Sequence, residues 1–279
     1  MTPTFAGLSL DRPILMGIVN VTPDSFSDGG QFHGVDKGIR HGRRLASEGA
    51  AILDIGGEST RPGAAPVTLD QEIARTIPVV RALAQEGHRV SIDTRRAAVM
   101  QAALEAGACI INDISALEGD PESLRVAAES RASVVLMHMQ GSPADMQDDP
   151  VYQDAPREIF DYLRGRIEAC LSAGILRERL CVDPGIGFGK ALRHNLDLLA
   201  NLDLFQRLGV PVLLGVSRKS FIGALSRKEP PQERLAGSIA AALSGIAHGA
   251  RILRVHDVAE TAQAVAVWQA INRATPPQG

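Results

Sequence analysis

The chain has 279 residues, 45% hydrophobic and only 4% aromatic, with 29 Lys and Arg against 32 Asp and Glu for a net charge of −3. The mixed charge excludes a basic nucleic-acid face. No apolar run approaches the roughly 20 residues that cross a bilayer, and three scattered cysteines (Cys109, Cys170, Cys181) exclude a disulfide framework. Cys109 and Cys181, at strand starts, are expected to be buried structural thiols. The first residues show no basic region followed by an apolar run, so no signal peptide and a cytoplasmic location are expected.

In chain order, an apolar strand ends at Asn20 and opens into a loop rich in Ser, Asp and Gly. A helix is predicted over 36–49 and a second strand over 51–56. Thr68 reads as the N-cap of the next helix, with Gln71 in the capping-box position and Gly87 as its stop. Strand 89–93, helix 95–106, strand 109–114, helix 121–130 and strand 133–138 follow, then a loop over 140–150. Helix 153–173, strand 180–183, helix 192–207, strand 211–216, a helical segment from Lys219, helix 232–248, strand 251–255 and helix 258–272 complete the pattern. The residues 274–279 read as a disordered tail.

Eight apolar strands alternating with helices predict one (β/α)8 barrel over 1–279, since a closed barrel needs about 250 residues. An open doubly wound sheet is the alternative, but it would gather its ligand at one switch point. Here every strand ends in polar residues, which suits a ring of loops over one mouth.

Asp93, Asn112 and Asp183 each end an apolar run, and together could read a heterocycle edge rich in N–H donors. Loop capping and general acid–base work are the other readings of the same residues. Arg61, Lys219, Arg254 and His256, with Arg218 beside them, suggest an anionic group such as phosphate or pyrophosphate; surface salt bridges are the alternative. Asn20, with Thr22 and Asp24 after it, is an oxygen-only set suited to Mg2+. Zinc is not expected, because His138 and His256 have no further ligand at the required spacing, and His138 reads as a hydrogen-bonded rim residue. Gly185-Ile-Gly-Phe-Gly-Lys190 is not a nucleotide phosphate loop, since Ala191 stands where Ser or Thr would hold Mg2+. It reads as a tight turn that brings Phe188 against a flat ligand.

The strings Asn20-Val-Thr-Pro-Asp-Ser-Phe-Ser-Asp-Gly-Gly30, Gly56-Gly-Glu-Ser-Thr-Arg-Pro-Gly63, Ile111-Asn-Asp-Ile114, Asp183-Pro-Gly-Ile-Gly-Phe-Gly-Lys190, Ser217-Arg-Lys-Ser220 and Arg254-Val-His-Asp257 resemble the dihydropteroate synthase family. That resemblance covers essentially the whole chain. It implies a (β/α)8 barrel that joins 6-hydroxymethyl-7,8-dihydropterin pyrophosphate to p-aminobenzoate with loss of pyrophosphate. It also implies Mg2+, a homodimer and a sulfonamide target. By resemblance, Asp93, Asn112, Met137, Asp183, Phe188, Gly215 and Lys219 hold the pterin, and Asn20, Thr60, Arg61, Arg254 and His256 hold the pyrophosphate, Asn20 also touching the metal. Phe26, Thr60, Arg61, Pro62, Ser217, Lys219 and Ser220 surround p-aminobenzoate, and Asn20, Asp93, Lys219, Arg254 and His256 carry the chemistry. Ser142 departs from the Thr of the family pattern. Loops 21–34 and 57–67 are expected to close over the leaving group and exclude water.

A pterin-binding methyltransferase barrel lacks a reason for the anion-binding cations, and a non-catalytic paralogue would have lost the two loops. A barrel aldolase needs a lysine inside a strand, and no strand interior has one. The small residues Ala236, Gly237, Ser238, Ala240, Ala241 and Ala242 form a face that fits either a dimer contact or packing on the barrel.

Overall fold

The computed structural model describes residues 3–22, 31–58, 67–141 and 146–274. Eight parallel strands follow one another around a barrel: β1 Ile14–Asn20, β2 Ile52–Gly56, β3 Val90–Asp93, β4 Ile110–Asp113, β5 Ser133–Met137, β6 Leu180–Asp183, β7 Leu213–Leu214 and β8 Ile252–Val255. A parallel bridge between Val182 and Val212 and a 3.0 Å bond from Val182 N to the Pro211 carbonyl link β6 to β7. This is the expected (β/α)8 barrel. Its strands are Val, Ile and Leu runs buried on both faces, as parallel strands between helices must be.

The helices are α1 Gln31–Ser47, α2 Leu69–Gln85, α3 Ala97–Glu105, α4 Ser123–Glu129, α5 Ala155–Ser172, α6 Leu192–Ala200, α7 Ser220–Leu225, α8 Leu235–Ala247 and α9 Val258–Arg273. The Thr68 capping box forms as predicted, with Gln71 N on Thr68 Oγ1 at 3.3 Å and Thr68 N on Gln71 Oε1 at 3.2 Å. Gly107 carries the chain from α3 into β4 at φ +110°, a conformation open to glycine, and a Cβ there would meet Ala84 at 2.8 Å.

Two expectations need correction, and one element is an addition to them. The predicted helix 192–207 is two elements, because α6 stops at Asn201, whose Nδ2 bonds the Asp197 carbonyl at 2.8 Å, and Leu202–Leu208 continues as a 3-10 helix. An N-terminal hairpin, Thr4–Phe5 against Leu8–Ser9, precedes β1; two-residue strands leave no periodic signal. Cys181 is buried as expected, and so is Cys170, for which the sequence made no case, but Cys109 is half-buried.

The hairpin closes the bottom of the barrel. Phe5 and Leu10 pack on a floor formed by Met16, Ile52, Ile110, Val135, Cys181, Leu213 and Ile252, one inward residue from each strand except β3. The larger apolar sleeve lies between strands and helices. In α8, Ser238, Ala242 and Gly245 are buried, and a Cβ on Gly245 would meet Leu214 at 2.1 Å, so much of the small-residue face packs on the barrel; Ala236 and Ala240 are exposed. Among the described residues no helix is long and apolar enough to cross a membrane.

Candidate active site

Two residues beyond the floor, the inward positions turn polar, because strand side chains alternate with period two. β2 contributes Asp54, β3 Asp93, β4 Asn112, β6 Asp183 and β8 Arg254. Arg254 Nε lies 2.6 Å from Asp54 Oδ2 and its Nη2 lies 2.6 Å from Asp93 Oδ2. Asn112 Nδ2 donates to the same Asp54 oxygen at 3.1 Å. Asp54 has no solvent exposure, whereas the Asp93 side chain keeps 15% toward the mouth. Asn20, Gly56 and Asp93 lie side by side in register at the top, where a side chain on Gly56 would project between the other two.

Burial pushes the Asp93 carboxyl up to about 7, against the pull of Arg254 and with repulsion from Asp54 and Asp113. Burial also raises Asp183, although the Gly185 N–H on its Oδ1 at 2.7 Å and the cations Lys219, Arg254 and Lys190 favour its charged form. For Arg254 burial opposes the charge, but Asp54 and Asp93 more than offset it and hold the guanidinium protonated.

The loop after β6 is folded tightly against the end of β5. Gly185 has φ +70°, and a Cβ there would stand 2.0 Å from the His138 carbonyl, so backbone meets backbone where no other residue fits. Asn195 accepts from Gly187 N at 2.6 Å and donates to the Lys190 carbonyl at 3.1 Å. Tyr152 Oη donates to the Gly189 carbonyl at 2.8 Å. Lys190, only 2% exposed, gives its ammonium to His138 Nδ1 at 3.0 Å, the His138 carbonyl at 3.2 Å and the Phe188 carbonyl at 2.8 Å. His138 is therefore buried behind this loop rather than on the rim. Burial and the nearby Lys190 lower it to about 3, which leaves it a neutral acceptor. The loop presents the Phe188 ring, with Lys219 Nζ 4.0 Å from its centroid. Burial, helped by Arg254 and opposed by Asp183 and Asp93, lowers Lys219 to about 8, so it is cationic at neutral pH.

On the β7–β8 side, Ser217 Oγ lies 3.0 Å from His256 Nδ1 and accepts from His256 N at 3.2 Å. Arg218 is paired with Asp257 at the start of α9, bonded through both Nε and Nη2, and its backbone N donates to Ser238. It is a structural ion pair and leaves the mouth to Lys219 and Arg254. Met137 is buried at the end of β5, Gly215 lies beside Asp183 and Arg254, and Ser220 begins α7 in an exposed position.

Thus Asn20, Asp93, Asn112, Met137, Asp183, Phe188, Gly215, Ser217, Lys219, Arg254 and His256 all sit on the carboxyl ends of barrel strands or the loops that follow, and Ser220 on the first residue of α7. Phe26, Thr60, Arg61 and Pro62, with Asp24 and Ser142, lie outside the described residues. Two buried charges at the mouth, Asp54 and Lys190, do not stand out in the sequence. Asp54 lies mid-strand rather than at a strand end, and its inward phase among apolar neighbours is the available signal; Lys190 closes a glycine-rich turn and has no local pattern that marks it as buried.

A barrel with a mouth of this kind defines a class of pterin-binding proteins, and a family model described as "Pterin binding enzyme" matches residues 16–256. The dihydropteroate synthase of Escherichia coli strain K12 is 48% identical over 264 residues, covering 94% of this chain and 93% of that protein. The solved structure of Xanthomonas albilineans dihydropteroate synthase with 4-aminobenzoic acid is 50% identical, with a TM-score of 0.92 over 99% of this chain and 100% of its own. Another from the same organism, in complex with 7,8-dihydropteroate, is 48% identical with a TM-score of 0.87, over 96% of this chain and 97% of its own. The chain belongs to the dihydropteroate synthase family.

Proposed function

We propose that the mouth binds 6-hydroxymethyl-7,8-dihydropterin pyrophosphate and p-aminobenzoate and joins them, releasing pyrophosphate. The convergence of Asp93, Asn112 and Asp183 beside the Phe188–Lys219 pair carries this reading. It offers acceptors to the N–H-rich pterin edge and a flat cationic face to its ring. The Xanthomonas enzymes that bind 4-aminobenzoic acid and 7,8-dihydropteroate support the same choice of substrates.

In this reading the C–O bond between the pterin methylene and pyrophosphate breaks, and the oxygen leaves with the electron pair. Arg254 and His256, with Arg61 and Thr60, bind the departing anion. The methylene carbon left behind is a cation delocalised into the electron-rich pterin, and the carboxylates of Asp93 and Asp183 favour that charge. The neutral arylamine of p-aminobenzoate, seated by Ser217, Lys219, Ser220, Phe26 and Pro62, forms the new C–N bond. It then loses a proton to solvent or pyrophosphate, so no strong base is required.

Among the described residues no three His, Cys, Asp or Glu side chains form a metal cage. One amide oxygen, on Asn20 at the top of β1, fits Mg2+, which takes most of its ligands from phosphate and water. Mg2+ held there would neutralise charge on the leaving group.

We also read the chain as a cytoplasmic homodimer. Leu235, Ile239 and Leu243 of α8 and Val267, Trp268 and Ile271 of α9 line one apolar groove, in which Val267 is 55% and Ile271 68% exposed. Sedimentation of wild type against Val267→Lys/Ile271→Lys tests this; a monomeric wild type refutes it.

The test of the chemistry is pyrophosphate release from the dihydropterin ester, with and without p-aminobenzoate and Mg2+. Release that needs all three, with equimolar dihydropteroate, is expected. Tight pterin binding without release would overturn the reading.

A further inference from the structure

Asp54 is an acid in the mouth layer with no solvent exposure and no role in the reaction just described. Its Oδ2 receives two donors, Arg254 Nε at 2.6 Å and Asn112 Nδ2 at 3.1 Å. A carboxylate only accepts, so Asn112 turns its NH2 toward Asp54, which leaves the amide oxygen, with the second amide N–H, for a ligand. Arg254 is held differently at its two ends. Nε meets Asp54, which pairs in register with Ile18 and Ser91, while Nη2 meets Asp93, one inward position (two residues) higher and partly exposed.

A ligand entering from the mouth and taking the Asp93 carboxylate competes with Nη2 for the same oxygens. It does not reach Asp54, which lies beneath. With Asp93 occupied, Asp54 is the anion that keeps the guanidinium in place.

We propose that Asp54 is a positioning residue of the pterin site: it anchors Arg254 through Nε while Asp93 passes from Arg254 to the pterin, and it fixes the Asn112 amide with its oxygen toward the ligand. The proposal rests on the dihydropterin reading above. It assigns Asp54 no contact with substrate, only an effect through Arg254 and Asn112.

The test is a double-mutant cycle on the full-length enzyme. Asp54→Asn is expected to raise KM for the dihydropterin pyrophosphate about 10- to 100-fold, the scale of losing a charged hydrogen bond. The KM for p-aminobenzoate, at saturating pterin, should stay within about threefold. The same substitution in an Arg254→Ala background should cost at least about tenfold less than in wild type, because its main partner is already gone. Millimolar guanidinium should restore part of the Arg254→Ala activity when Asp54 is intact, and not when it is Asn.

Equal costs in both backgrounds, equal rescue, or an unchanged pterin KM overturns the proposal. Asp54→Glu, which keeps the charge but displaces it by a methylene, serves the same cycle if Asp54→Asn does not fold. A wild type that fails to turn over the dihydropterin ester refutes the functional reading. A working wild type with an unaffected Asp54→Asn refutes the anchor alone.

Discussion

Floor and mouth of this barrel are built from the same strands, two residues apart. Ile52 gives way to Asp54, Ile110 to Asn112, Val135 to Met137, Cys181 to Asp183, Leu213 to Gly215 and Ile252 to Arg254. The lower row packs apolar side chain on apolar side chain under Phe5 and Leu10. The upper row holds carboxylates and a guanidinium whose contacts are 2.6 Å ion pairs. One step of the strand period therefore separates a layer that sets geometry from a layer that does chemistry. The floor fixes the register, and the register decides which oxygens meet which nitrogens above it.

The largest expected effect comes from moving mouth chemistry into the floor. Ile110 is fully buried in the apolar floor with the Ser91 hydroxyl as its polar register neighbour, so Ile110→Asp places a carboxylate where no cation pairs with it. The cost should exceed about 5 kcal/mol, comparable to the whole stability of many proteins, and leave no cooperative thermal transition by circular dichroism. A variant that melts within a few degrees of wild type would show that the floor is not dry.

The converse substitution keeps shape and changes charge in the mouth. Asn at 183 can still accept the Gly185 N–H on its oxygen, and then turns an NH2 toward the donor edge of the pterin. Asp183→Asn should melt close to wild type yet bind the dihydropterin about 100-fold more weakly, the loss of two charge-assisted bonds. Near-normal affinity in a calorimetric titration would sink the assignment of Asp183 to the pterin edge.

Lys190 sharpens the comparison by being a mouth charge that is buried as deeply as a floor residue. Burial, with Lys219 reinforcing and Asp183 opposing, lowers its ammonium to about 7, against 10.5 in the unfolded chain. Between those values the unfolded chain holds a proton that the native state has released, so this lysine's contribution to stability rises with pH and is lost as pH falls through 7. Lys190→Met abolishes that dependence. Its Tm relative to wild type should therefore be higher at pH 6 than at pH 9, by about 4 °C or more for a linkage of about 2 kcal/mol. The same Tm difference at both pH values would mean that Lys190 does not change protonation in this range.

What the sequence made legible follows the same division. Apolar strand runs broken by polar ends mark the barrel and bring out Asp93, Asn112, Asp183 and Arg254, because a polar residue that terminates a buried strand is conspicuous. Asp54 interrupts a strand instead of ending it, and only the pairing of β2 with its neighbours reveals that it stands beneath Asp93. The burial of Lys190 depends on a turn at Gly185 whose backbone touches His138, a contact across 47 residues of chain that no local pattern encodes. The hairpin under the floor is too short for any periodicity. Phe26 and Pro62 entered through resemblance, and with Thr60 and Arg61 they lie outside the described residues.

The smallest effect should come from a conservative change in the floor directly below the most sensitive mouth residue. Cys181 lies two residues before Asp183, fully buried, and burial first and the Asp183 charge second push its thiol up, so it carries no charge to lose. Cys181→Ala removes one small apolar group and should cost about 1 kcal/mol, or about 2–4 °C in Tm. The backbone of β6 stays pinned by its register with β5, in which Val135 opposes Cys181 and Met137 opposes Asp183, so the Asp183 carboxylate does not move. Pterin KM should therefore match wild type within error. If it rises in step with the stability loss, floor packing tunes the mouth directly, and the two layers act as one unit rather than as a scaffold and a site.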